Sequence, residues 1–235
     1  MYSKKFSRSA VIKFYLFIAL SVCSVVVFLN SCVYSQKAAK ELLTESESKV
    51  YDVLIVPGIP LEDGKWSRTM KGRIYWAKYL YDRGITKNIM FSGSAVYTPY
   101  YEGITMSLYV IALGVPAEHV FAETAAEHSV ENVYYSYVKA KALGFNKIAL
   151  ASDPFQTKSL SKFVRKRISP NVAMLPFVTD TLKMLEPGMT DPVLDIEKAY
   201  KKNFISIKKR EGFFKRLRGT MGRNIEDSLS KLTAD

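Results

Sequence analysis

The stretch that decides the fold class is Tyr51-Asp-Val-Leu-Ile-Val-Pro57, which is followed directly by Gly58. A continuous apolar run of this length that ends in a turn residue is typical of a strand buried on both faces of a parallel sheet. Similar runs follow at residues 88–92, 119–122, 147–151 and 172–178, and all but the last are shorter. The sequence therefore predicts a sheet of about five mostly parallel strands.

Helical patterns separate these runs. In the first of them, Met70, Ile74, Ala77 and Leu80 recur at the three- and four-residue spacing of an amphipathic helix. Further helices are predicted over residues 102–113, 129–144 and 154–167. Because strands alternate with helices, we predict right-handed βαβ units and a doubly wound, Rossmann-like α/β fold with helices on both faces of the sheet.

Composition and charge exclude several classes of protein. The chain has 235 residues, of which 48% are hydrophobic, so it can bury the core of one domain. The net charge of +12 is concentrated at the two ends. A nucleic-acid-binding domain carries its basic residues across the folded surface, so we predict no nucleic-acid partner. The only cysteines lie in the N-terminal segment, and His119 and His128 lack the spacing of zinc ligands, so no metal site is predicted.

The N-terminal segment predicts attachment to a membrane. Four basic residues precede an apolar run at residues 14–29, whose 16 residues fall short of the ~20 that span a bilayer comfortably. Leu29-Asn-Ser-Cys32 resembles a bacterial lipobox, which predicts cleavage and a lipid on Cys32. The alternative is an uncleaved signal anchor. Both interpretations place the rest of the chain outside the cytoplasmic membrane, facing the periplasm or the exterior.

The chain divides into four segments. Residues 1–32 are the signal peptide or anchor, 33–49 a polar tether, 50–180 the α/β domain, and 181–235 a basic extension that is predicted to be helical. In that extension Phe213, Phe214, Leu217 and Met221 recur at helical spacing among basic residues. This pattern indicates either a helix docked on the domain or an interfacial helix on an anionic membrane.

Polar turns follow three of the predicted strands. They are Pro57-Gly58, Ser92-Gly93 and Ser152-Asp153. In a parallel sheet these turns share one edge, and ligands bind there, where the strand order reverses. The glycines indicate that backbone N–H groups approach an anion, or only that the turns are tight.

Two carboxylates are candidate acid–base groups. Ser129-Val-Glu131-Asn132 opens a helix, where Ser129 is expected to cap the first turn and Glu131 to favour the helix dipole. The functional alternative is that Glu131 and Asn132 bind substrate at the edge of the sheet. Glu102 also opens a helix, and if it converges with Glu131 the pair could act as acid and base or hold a cation.

In this order, the motifs resemble the ElyC/SanA/YdcF family over residues 51–178. The matching parts are DVLIVPG at 52–58, the helix SRTMKGRIYWAKYLYDRG with Arg73, IMFSGS followed by Glu102, GVP at 114–116, SVEN at 129–132 and ASDPFQ at 151–156. The resemblance implies a Rossmann-like fold and a role in envelope biogenesis, handling peptidoglycan precursors or their lipid carrier. It also implies a nucleoside-type ligand, for which S-adenosylmethionine is a candidate.

This chain departs from the family pattern at three positions. Ser94 replaces the second glycine of S-G-G, Gln156 replaces the usual histidine, and Ser159 replaces an arginine. Glutamine forms hydrogen bonds but does not transfer protons near neutral pH. A mechanism that depends on that histidine therefore does not carry over, whereas a binding role does not depend on it.

Two hypotheses follow. In the first, the protein binds or acts on a phosphorylated or nucleotide-linked envelope precursor. In the expected site Arg73 neutralises the phosphate, and Gly58, Ser92 and Gly93 donate hydrogen bonds. The groups that orient the substrate or move protons are Glu102, Glu131, Ser129 and Asn132. The third turn adds Ser152, Asp153 and Gln156. In the second, the protein is a non-catalytic envelope factor that binds a partner protein or anionic lipid through its basic segments.

Overall fold

The fold is an all-parallel sheet of five strands with helices on both faces. A computed structural model of the chain describes Phe17 and residues 33–225. The strands are β1 (Val53–Pro57), β2 (Ile89–Ser92), β3 (Val120–Glu123), β4 (Ile148–Ser152) and β5 (Ala173–Pro176). Their spatial order is β3-β2-β1-β4-β5, and every pairing is parallel. The predicted Rossmann-like fold is confirmed, and each strand lies within one or two residues of its predicted limits.

Helices join the strands as the periodicity predicts. They are α2 (Arg68–Asp82), α3 (Glu102–Ala112), α4 (Ser129–Ala142) and α5 (Pro154–Phe163). Leu54 and Val56 of β1 face a core with α2 and α3, whereas Val53 and Ile55 face a core with α4 and α5. All five β1 residues are buried, which is why the strand shows no polar alternation.

The expected polar tether at 33–49 is instead a helix, α1 (Gln36–Glu47), that packs on the domain beside β5. Ser35 caps it by accepting a hydrogen bond from the Ala38 amide. Ala39 and Leu43, four residues apart, are its buried apolar residues. The prediction failed because a helix at the border of a core needs few apolar positions, and a polar composition hides them.

The C-terminal extension continues along the same domain. It contains α6 (Thr179–Leu185), the short α7 (Ile207–Arg210) and α8 (Phe213–Thr220). Ile207 is buried and its amide donates to the carbonyl of Val96, and α8 packs against α4. The predicted lipid site at Cys32 lies outside the described residues. Within residues 33–225, no helix is both long and apolar enough to cross a bilayer.

Candidate functional site

A cavity of about 240 Å³ opens at the carboxyl edge of the sheet. It lies where the strand order reverses, because Gly58 follows β1 and Gln156 follows β4, its neighbour. The predicted site residues in its wall are Gly58, Arg73, Glu102, Ser129, Asn132 and Gln156. The structure therefore brings together side chains from four separate parts of the sequence.

Arg73 connects the carboxyl ends of the neighbouring strands β1 and β4. Its Nη1 donates to the carbonyls of Pro57 (3.0 Å) and Gly58 (2.8 Å), and its Nη2 donates to Asp153 Oδ2 (2.9 Å). The side chain is only 7% exposed. Both Nη atoms are thus used within the protein, whereas the buried Nε has no partner among the described residues, so Arg73 chiefly positions the cavity floor.

Glu102 is a buried carboxyl at the start of α3. It packs so closely on two glycines that a Cβ at Gly58 would lie 2.7 Å from its Oε2, and a Cβ at Gly93 would lie 2.8 Å from it. Burial raises its pKa to about 8, although the nearby Arg73 lowers it in part. At neutral pH the group is therefore largely protonated and can donate a proton or a hydrogen bond into the cavity.

At the two glycines after β1 and β2 the structure favours the tight-turn alternative. Gly93 has φ of 142°, which disfavours any side chain, and its N–H donates to the carbonyl of Glu123 (2.9 Å). A Cβ at Gly58 would lie 2.2 Å from the carbonyl oxygen of Ser92. The glycines make room for Glu102 and for the neighbouring strand, and the Gly93 N–H is not available to an anion.

Ser92 and Ser152 support the wall of the cavity from behind. Both are buried. The Ser92 hydroxyl lies within hydrogen-bond distance of Asn132 Oδ1 (3.0 Å) and Glu123 Oε2 (2.5 Å), and the Ser152 hydroxyl donates to Gln156 Oε1 (2.6 Å). The two serines therefore orient the amides of Asn132 and Gln156 without facing a ligand themselves.

Asp153 has two structural tasks. It pairs with Arg73. As the N-cap of α5, its Oδ1 accepts a hydrogen bond from the backbone N–H of Gln156 (2.8 Å). Its side chain forms part of a second cavity, between α2 and α6, and not of the one around Glu102. The Asp153 carboxylate thus supports the site. Its position in a polar turn of the sequence was equally compatible with ligand binding.

Glu131 does not join Glu102. Its carboxylate turns back to accept from the amides of Glu127 (2.8 Å) and His128 (3.2 Å). The N-cap of α4 is His128, so the expected capping by Ser129 is wrong, and Ser129 faces the cavity. The local rule that places a glutamate three residues after a cap explains Glu131, so the condition on which the acid–base hypothesis depended, convergence with Glu102, is not met.

His128 links this helix start to the C-terminal extension. The buried ring lies between Glu131 Oε1 (3.0 Å from Nδ1) and Glu211 Oε2 (3.1 Å from Nε2). The hydrogen bond with Glu131 raises the His128 pKa against the opposing effect of burial, and the Glu211 carboxylate adds to it. A charged imidazolium that donates to both carboxylates fits this geometry. The sequence did not indicate the cluster, because Glu211 is 83 residues away.

His128→Gln is expected to loosen the C-terminal extension and to flatten its pH dependence. Because the folded-state pKa of His128 is raised, its stabilisation is complete below pH 6.5 and is lost as the pH rises through that raised pKa. We expect a local loss of about 1–3 kcal/mol. Hydrogen exchange of residues 207–221, corrected for intrinsic rates, measures it between pH 5.5 and 8.5.

The control for this prediction is His119→Gln. That histidine contacts Tyr81 through its Nδ1 and precedes β3 at the opposite edge of the sheet. Equal protection of residues 207–221 in wild type and His128→Gln at pH 6 would contradict the role assigned to His128.

The extension also completes the cavity. Ile207, Arg216 and Thr220 form part of its wall. The Nε atom of Arg216 is buried, and among the described residues it finds no hydrogen-bond partner. Arg216 thus adds a guanidinium with an unused donor, which the sequence motifs missed because it lies outside residues 51–178.

The cavity is suited to a small anionic group. Its donors are Arg216, protonated Glu102 and the amides of Asn132 and Gln156. Its volume is below the range of about 300–1,000 Å³ that holds a whole drug-sized ligand, so it fits a phosphate or a sugar-sized head group. Among the described residues, no cluster of three or more His, Cys, Asp or Glu side chains could hold a metal ion. Comparison of the chain with protein-family models, curated proteins and solved structures found no match.

Proposed function

We propose that this is a membrane-anchored extracytoplasmic protein that binds, or acts on, a phosphorylated or nucleotide-linked precursor of the cell envelope. The observation that carries the proposal is the cavity at the strand switch point, which combines Arg216, protonated Glu102 and two oriented amides. The resemblance to the ElyC/SanA/YdcF family supports the envelope role. The apolar segment at residues 14–29 supports the anchor.

In this proposal each wall residue has a distinct task. Arg216 places its guanidinium in the wall for the anionic group, and Asn132 and Gln156 bind hydroxyl or phosphate oxygens. Glu102 is placed in the wall to transfer a proton near neutral pH, as a general acid. Gln156 forms a hydrogen bond where the family pattern has a titratable histidine, so proton transfer in this proposal is assigned to Glu102 and not to Gln156.

A ligand panel tests the proposal on the full chain in non-ionic detergent. Thermal unfolding is recorded with nucleotide sugars, S-adenosylmethionine, short-chain polyprenyl phosphates and divalent metal ions. A ligand at 100 times its dissociation constant stabilises the folded state by about 2.7 kcal/mol, which is a measurable shift. We expect a shift with one phosphorylated class, reduced in Arg216→Gln because the guanidinium that faces the cavity is lost.

The matched control is Arg218→Gln, on the same helix and exposed to solvent. It should leave the shift unchanged. A shift that Arg216→Gln does not alter would contradict the assigned cavity. A folded chain that shifts with no member of the panel would favour the alternative, a non-catalytic envelope factor that binds a partner protein.

A further inference from the structure

The chain enters the domain at the same edge of the sheet as the cavity. The Tyr34 amide donates to the carbonyl of Pro154 (3.2 Å), the residue after Asp153. Two residues later, Gln36 Oε1 accepts from the Thr179 amide, just beyond the end of β5. The described part of the chain that follows the apolar run in sequence therefore begins at the carboxyl edge of the sheet.

Large apolar side chains are exposed along this edge. Phe155, in the first turn of α5, is 59% exposed, and Phe213 and Phe214 of α8 are 65% and 77% exposed. Tyr97, in the loop after β2, is also exposed. Single exposed apolar residues are ordinary, but four large ones at one edge that also carries a cavity indicate an interaction surface.

Positive charge accompanies these side chains. Residues 201–225 hold nine basic residues and one acidic residue, Glu211, which faces inward to His128. Lys158 lies over the ring of Tyr34 and Lys208 over the ring of Tyr97, at 4.9 and 5.7 Å from the ring centroids. Exposed aromatic residues among cations are typical of a surface that lies at the boundary of an anionic bilayer.

We propose that this edge docks on an anionic lipid bilayer. The docking surface consists of Tyr97, Phe155, Phe213 and Phe214 with the basic residues of 201–225. Two arguments favour a bilayer over a protein partner: the described chain begins at this edge, directly after the apolar N-terminal run in the sequence, and residues 201–225 carry nine basic residues against one acidic residue, even though Arg210 pairs with Glu127. Tyr97 and Arg216 also line the cavity, so docking would open it toward the lipid head groups. The ligand would then come from the head-group layer of the bilayer. This source of the ligand rests on the proposed function, whereas the docking itself does not.

Tryptophan quenching tests the docking on the full chain. Phe214→Trp is reconstituted in nanodiscs of phosphatidylglycerol and phosphatidylcholine that contain lipids brominated near the head group. A side chain at this boundary lies about 5–10 Å into the bilayer. We expect a blue-shifted emission and several-fold stronger quenching of the added tryptophan than in the control Leu143→Trp, after subtraction of the wild-type signal. Leu143 is exposed but ends α4, at the opposite edge of the sheet.

Three outcomes would overturn the proposal. They are equal quenching of the two tryptophans, equal quenching of Phe214→Trp in discs of phosphatidylcholine alone, and failure of the full chain to remain on anionic discs. The double variant Phe213→Ser/Phe214→Ser separates docking from ligand binding, because both side chains are exposed and neither lines the cavity. It should lose disc contact at residues 205–221 in hydrogen exchange. It should also keep the thermal shift with a soluble ligand, so each failure is recognised separately.

Discussion

Glu102→Gln is expected to flatten the pH dependence of the free energy of unfolding between about pH 4.5 and 8. The cause is burial, which raises the pKa of the Glu102 carboxyl from 4.5 to about 8. A carboxyl with a raised pKa binds its proton more tightly in the folded state than in the unfolded state. Its contribution to stability is therefore complete below pH 4.5 and is lost as the pH rises through about 8.

The expected effect is large compared with the stability of a domain. A pKa that moves from 4.5 to about 8 corresponds to a change on the order of 4–5 kcal/mol in the free energy of unfolding across that pH range. Domains of this size are stable by about 5–15 kcal/mol in total. Glutamine resembles the protonated carboxyl and does not titrate, so the variant should remain stable at alkaline pH where the wild-type chain weakens.

Denaturant unfolding of the full chain at pH 5, 6.5 and 8.5 measures this difference. The matched control is Glu118→Gln, an exposed glutamate in the turn before β3, which should leave the profile unchanged. A residual slope above pH 6.5 is expected in the Glu102 variant, because His128 also loses stabilisation there. Parallel profiles for wild type and Glu102→Gln would contradict the assignment of a buried, protonated carboxyl.

The periodic parts of the chain were predictable, because a buried strand and an amphipathic helix each leave a local pattern. The run that ends at Pro57 and the spacing of Met70, Ile74 and Ala77 were enough to place β1 and α2. The polar turns after three strands also marked the correct edge of the sheet. Local pattern failed at α1, where Ala39 and Leu43 alone did not distinguish a packed helix from a tether.

The partners of the site residues were not predictable, because they depend on contacts between distant parts of the chain. Arg73 and Asp153 are 80 residues apart, and no local rule shows that they neutralise each other. The same holds for His128 and Glu211, and for Arg216, which reaches the cavity from beyond the motifs. Glu131, by contrast, follows a local capping rule. Its contacts favour the capping interpretation over substrate binding.

Arg73→Met should be the most damaging single change at the cavity. It leaves the Asp153 carboxylate without its cation and removes the donor that the carbonyls of Pro57 and Gly58 share. Removing one partner of a fully buried pair costs about 3–5 kcal/mol, and because the Asp153 side chain is 25% exposed we expect a loss near the low end of that range. Arg73→Lys should recover only part of the loss, since an ammonium cannot reproduce the fixed fork of the guanidinium.

The control is Arg68→Met, on the same helix, whose side chain is 85% exposed and pairs with Glu186 at the surface. Exposed pairs contribute about 0–1 kcal/mol, so this variant should unfold nearly as wild type does.

The double variant Arg73→Met/Asp153→Asn tests whether the unpaired charge causes the loss. Asparagine at position 153 can still accept the hydrogen bond from the backbone N–H of Gln156, and it carries no charge. The double variant should therefore be more stable than Arg73→Met alone. If Arg73→Met costs no more than Arg68→Met in denaturant unfolding, the guanidinium does not hold β1 and β4 together. In that case Arg73 would be free to bind an anion in the cavity.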